Sequence, residues 1–220
     1  MAAPTVKVAG LVGPPSARQS DSTSVEQPVR LGDRLEQIIA QGRAVAAEQT
    51  VRGLSYAAFI PPGTGQAPGT SIGTTACFTL ALAAGSSARL VIRKIMVGYI
   101  SGTLGAGVLA LLSHFAAAGI TAPSGGTAIT PTNLASGSSA TSIANCRFNN
   151  TVPASGLMIR AIASLQASLA STAVAPWQVI DPVDGEVVVN AGQAVSIQGI
   201  AAAGTSPLIT AGMIWTEEPI

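Results

Sequence analysis

Ionised side chains are scarce in this 220-residue chain: Lys and Arg number 11, Asp and Glu 10, and the formal net charge is +1. So nearly neutral a total supplies no electrostatic footprint for nucleic acid or for an anionic membrane. Aromatic residues make up only 4% and are scattered, which argues against a base-stacking platform. There are two cysteines, Cys77 and Cys146, too few for a disulfide framework and without metal-type spacing. Both are read as small buried hydrophobes. A single histidine, His114, lies inside an apolar run and is read as a packed or rim residue, because no second histidine is there to share a metal or a catalytic task.

Recognised catalytic signatures are missing too. No G-x-S-x-G elbow supports a Ser–His–Asp triad, and neither G-x-x-x-x-G-K-[ST] nor a strand-flanked G-x-G-x-x-G is found. The glycine-rich pieces GTGQAPG (63–69) and GTLGAG (102–107) therefore read as loops. Asp181, Asp184 and Glu186 in IDPVDGEVVV form the densest carboxylate group, enough oxygens for a calcium ion if carbonyls completed the shell. A turn at Pro182 and Asp184-Gly185 leading into a strand is the plainer reading. Glu217 and Glu218 close the chain without a partner acid at identifiable distance. The expectation is a protein that is not an enzyme, with no cofactor and no metal.

What charge there is lies unevenly. The first 52 residues hold 11 of the 21 charged side chains, and the run from Ile95 to Cys146 holds none. A soluble domain usually carries about a quarter charged residues, so a body this poor in charge is more easily explained if much of its surface meets other protein. No basic n-region followed by an apolar stretch opens the chain, so no secretory signal is expected. Ile95–Ile120 is long and uncharged enough to raise the question of a membrane span. Five glycines, together with Ser113 and His114, interrupt it, and two strands around a turn at Ser101–Gly107 fit it better.

Residues 1–60 are read as an N-terminal arm. Its prolines and serines disfavour regular structure up to about residue 30. One helix is predicted over about 33–48, with Asp33 as N-cap and Glu36 completing a capping box. On it Leu35, Ile38, Ile39 and Val45 share one apolar face, which is marginal alone and needs a surface to lie against. Those four residues are the candidate partner-binding site. A turn-rich linker (61–73) follows, and residues 74–220 show the short alternating runs and regular turns of an antiparallel β-sandwich. Phe78, Leu80, Ile92, Ile159, Val188, Ile197 and Trp215 are the predicted core, and 121–145 reads as a long loop.

Three stretches of the body resemble the small decoration, or cement, proteins of tailed-bacteriophage heads. They are residues 90–119, with a basic strand, a turn and an aliphatic strand; 125–148, with Gly125-Gly126-Thr127, Thr130-Pro131 and Leu134; and 184–219, with the N-A-G-Q-A hairpin and the Trp215-Thr216-Glu217 ending. The first 60 residues carry no such likeness. The resemblance implies an all-β, jelly-roll-like sandwich and a homotrimer on the outer surface of the virion head. It also implies the major capsid protein as partner, with no nucleic acid and no membrane involved. A receptor- or glycan-binding head-fibre or tail module is the alternative in another class.

Overall fold

A computed structural model describes residues 47–116, 119–120, 122–152, 154–165, 178–201 and 204–220. They fall in the second of two units of the chain, Val45–Ile220. The predicted arm helix up to residue 46, with its residues Leu35, Ile38, Ile39 and Val45, lies outside the described residues, as does Trp177. A five-residue helix, α1 (Ala47–Val51), opens the described chain.

Twelve strands follow: β1 (Ser55–Phe59), β2 (Thr75–Ala81), β3 (Ala88–Ser101), β4 (Gly107–His114), β5 (Thr127–Ile129), β6 (Thr132–Asn133), β7 (Asn145–Thr151), β8 (Leu157–Leu165), β9 (Gln178–Pro182), β10 (Val188–Val189), β11 (Ala194–Ala201) and β12 (Leu208–Pro219). They build two antiparallel sheets. The first runs β10-β3-β12-β1-β6, with β9 also on β3, and the second runs β5-β7-β2-β11-β4-β8. Central strands pair with partners distant in the sequence, β12 with β1 and β3, β11 with β2 and β4. Two antiparallel sheets packed on each other are the β-sandwich expected from the alternation.

Between the sheets lies one apolar core, in which Phe78, Leu80, Ile92, Ile197 and Trp215 are fully covered. Each of these side chains contributes roughly 1.5–3 kcal/mol by leaving water. The Trp215 ring stacks on Tyr56 with centroids 6.2 Å apart. Tyr56 belongs to β1, whose five residues pair with Gly212–Thr216 of β12. The sheet therefore begins at Ser55, inside what the sequence assigned to the arm. The run SYAAF is short and flanked by Gly53 and Pro61-Pro62, and only pairing with the last strand makes it part of the core.

The linker is bonded to both sheets. Gln66 bridges Ile209 on β12, and the Pro68 carbonyl accepts the Gly199 N–H on β11, so the chain crosses from one sheet to the other here. The stretch read as a loop contributes β5 and β6, both at sheet edges.

Two residues placed in the core by alternation are exposed. Ile159 is 47% accessible because β8 is an edge strand and carries an irregularity there: Met158 pairs with Leu112 and Arg160 with Leu111, leaving Ile159 as the extra residue. Val188 is 38% accessible because the two-residue β10 turns Val189, not Val188, into the core. A similar bulge resets β3. Ile214 pairs with Lys94 and Trp215 with Ile92, so Arg93 is extra, and Leu90 and Ile92 face inward together with Ile95 and Val97.

Candidate functional sites

The outer face of the second sheet carries a buried polar chain. His114, at the end of β4, donates from Nδ1 to the Ala154 carbonyl at 2.7 Å. A carbonyl only accepts, so the proton sits on Nδ1 and Nε2 is left to accept. Ser196 on β11 donates its hydroxyl to that Nε2 at 2.7 Å. Gln198, two residues along β11, donates to Ser196 Oγ at 3.1 Å and exchanges two bonds with the Gly73 backbone. Burial pushes the His114 pKa below its ordinary value, against a smaller upward pull from the Ala154 carbonyl.

A serine hydroxyl bonded to an imidazole is also the contact of an activated nucleophile. Here His114 and Ser196 are both fully covered, and the atom orienting the ring is a backbone carbonyl rather than a carboxylate. Gly156 seats against the ring so closely that a Cβ there would lie 2.7 Å from His114 Cε1. Ile120, Val152 and Ala154 pack with Ala76, Ala81 and Ala194 over the same face. The chain of bonds thus ties the 152–156 segment to the sheet. The apolar run around His114 pointed to a packed or rim histidine, but only the pairing of β11 with β4 brings Ser196 to it.

The carboxylate cluster is organised around a cation the sequence did not connect with it. Arg160 on β8 donates from Nε and Nη2 to the two oxygens of Asp181 on β9, at 2.7 and 2.8 Å, and from Nη1 to Glu186 at 2.8 Å. The hydrogen bond and the charge of Asp181 raise the Arg160 pKa. Asp184 sits in the left-handed region, φ 48°, and Gly185 follows at φ 91°, the geometry of the turn read from the sequence. Among the described residues no three His, Cys, Asp or Glu side chains are grouped to hold a metal ion.

Glu217 and Glu218 separate onto opposite faces of β12. Glu217 is buried and accepts from Ser142 Oγ at 2.5 Å, from the Ile143 N–H at 3.2 Å and from Trp215 Nε1 at 3.4 Å, which anchors the 142–144 segment over the end of the core. Its charge adds to burial in raising the Tyr56 and Cys146 pKa values. Glu218 pairs outside with Arg89 and Arg93. Both cysteines are free and buried, as read from the sequence, and burial pushes the Cys77 thiol up to about 12.

Two surface features remain. A cleft of about 760 Å³ opens beside β5, walled mostly by Ala, Ile and Pro, with Asn145 and Arg147 among its polar groups. On the other edge of the same sheet, β8 leaves Leu157, Met158 and Ile159 exposed in succession, at 77%, 53% and 47%. No helix among the described residues is long and apolar enough to cross a membrane.

Comparison with protein families, with curated proteins and with solved structures finds no match to this chain.

Proposed function

We propose that this chain is a non-catalytic structural protein of a virus particle. In this reading it is a decoration or cement protein that binds the outer surface of a tailed-phage head between capsomers, as a homotrimer, and stabilises the shell against the major capsid protein. The observation that carries the reading is the row Leu157–Met158–Ile159, three large apolar side chains exposed together on the edge of a sandwich with few charges. A surface of that kind gains by meeting protein, and the ions beside it, Arg160 with Asp181 and Glu186, are already paired. The three stretches of resemblance supply the phage head as the setting.

Other features fit an assembly role. The polar groups with chemical potential, His114 with Ser196 and Glu217 with the half-buried Ser142, are bonded within the fold, where they pin loops. Most of the described aromatic rings, including Phe78, Phe148, Tyr56 and Trp215, are buried, with Phe115 an exposed exception. A glycan-binding module would present such rings, so the decoration reading is favoured over the receptor-binding one. The arm stripe Leu35, Ile38, Ile39 and Val45 is proposed as the attachment element that docks on a neighbouring subunit or on the shell.

The test is to mix the purified chain with undecorated heads, count bound copies and melt the particles. Hundreds of copies per head and a raised disruption temperature are expected. A dozen or fewer copies would transfer the protein to a tail or vertex, and no binding would overturn the reading. Ile38→Asp with Ile39→Asp is expected to reduce occupancy while the body stays folded.

A further inference from the structure

We infer that the β8 edge is where copies of this chain contact one another, through a patch made by Phe115, Leu157, Met158, Ile159 and Val188. The inference deepens the assembly reading above and rests on it for its setting. The register sets out the patch: Leu157 pairs with Ser113, two residues before Phe115, Ile159 and Val188 line one groove at the mouth between the sheets, and Met158, opposite Leu112, flanks the same edge from the other face of the strand. All five are substantially exposed, Phe115 at 65% and Leu157 at 77%.

An edge strand is usually protected by lysines, prolines or inward charges. β8, LMIRAIASL, has no lysine or proline, and its one charge, Arg160, shares the groove with Ile159 and Val188 but is held there by Asp181 and Glu186. That ion-pairing decides the kind of partner. A charged ligand meets ions that are already paired with each other, whereas a second copy brings an apolar row whose neighbouring ions are likewise engaged. The area is adequate as well. The exposed parts of five such side chains amount to roughly 500 Å² per copy, so two patches together remove about 1,000 Å², the lower bound for a specific contact.

The strand's irregularities set the manner of contact. Ile159 and Ile162 are extra residues against β4, so β8 does not offer the even row of backbone groups that continuing the ladder into another molecule requires. Copies meet side chain to side chain across this edge.

Sedimentation velocity of the full chain over a micromolar concentration range is the experiment, with Leu157→Asp plus Met158→Asp beside the parent chain. Both positions are exposed, so an unchanged circular dichroism spectrum and melting curve are expected of the isolated variant. The parent is expected to associate, and the double variant to do so about a hundredfold more weakly, because each buried carboxylate goes unpaired. Ile72→Asp, a change at an exposed apolar residue outside the patch, is expected to leave association unaltered. As a second readout, Met158→Cys is expected to give disulfide-linked copies on mild oxidation, with the buried Cys77 and Cys146 silent. A parent chain that stays monomeric, or a double variant that associates as the parent does, overturns the inference. Head binding by a chain that never self-associates would sink this contact and the homotrimer while leaving attachment to the head in place.

Discussion

Arg160 on β8 and Asp181 on β9 grip each other across the open edge of the sandwich, Nε to Oδ2 at 2.7 Å and Nη2 to Oδ1 at 2.8 Å. The two strands belong to different sheets, so this two-pronged contact closes the edge where no backbone ladder does. Asp181→Asn is expected to lower the melting temperature, and the difference from the parent is expected to narrow in high salt as screening weakens the pair. Arg160→Lys is expected not to restore the parent value, since an ammonium cannot present the paired donors of a guanidinium. Thermal melts at low and high ionic strength check both.

His114 makes stability depend on pH. Its folded pKa lies below the unfolded value of about 6.5. The native state therefore binds fewer protons than the unfolded chain. The stabilisation is complete above about pH 6.5 and is lost as pH falls from there toward the depressed native value. The local reason is that a protonated ring would donate to Ser196 Oγ, which already accepts from Gln198, leaving the buried serine hydrogen without its partner. Urea denaturation between pH 8 and 5 is expected to show this loss, and His114→Gln to flatten it.

Glu217 is held by neutral donors, and removing it orphans them. Glu217→Ala is expected to cost about 1–3 kcal/mol, the desolvation penalty of buried donors left without acceptors. Amide exchange at Ile143, which donates to Glu217, is expected to accelerate more than exchange at Ile197 in the core. Glu217→Gln retains an acceptor and is expected to fall between the two.

The thiols are expected to be inert in the folded protein. Burial holds Cys77 at about 12 and raises Cys146 as well, so neither presents thiolate at pH 8. A maleimide reagent is expected to label neither in native buffer and both in denaturant, as read by mass spectrometry. Rapid native labelling of Cys146 would show that the 142–144 cover opens.

Much of the sandwich was legible from local pattern. The β-sandwich over the body, the turn at Asp184-Gly185 and the buried, unbridged cysteines follow from composition and spacing alone. These properties are local: side-chain alternation, turn chemistry and the preference of a small apolar thiol for the interior act within a few residues. What only the tertiary structure decided is which partner each strand takes, and therefore which face each residue shows. SYAAF became β1 because β12 lies beside it, and Leu90 with Ile92 turned inward because Arg93 is a bulge against Trp215. Ile159 reads as a core residue in its own alternation and stands exposed because β8 has a neighbour on one side only and a bulge at that position. The bonds of Ser196 to His114 and of Arg160 to Asp181 join residues 82 and 21 positions apart. Registers between strands are set by the packing of the whole core, and no window of the chain contains that information.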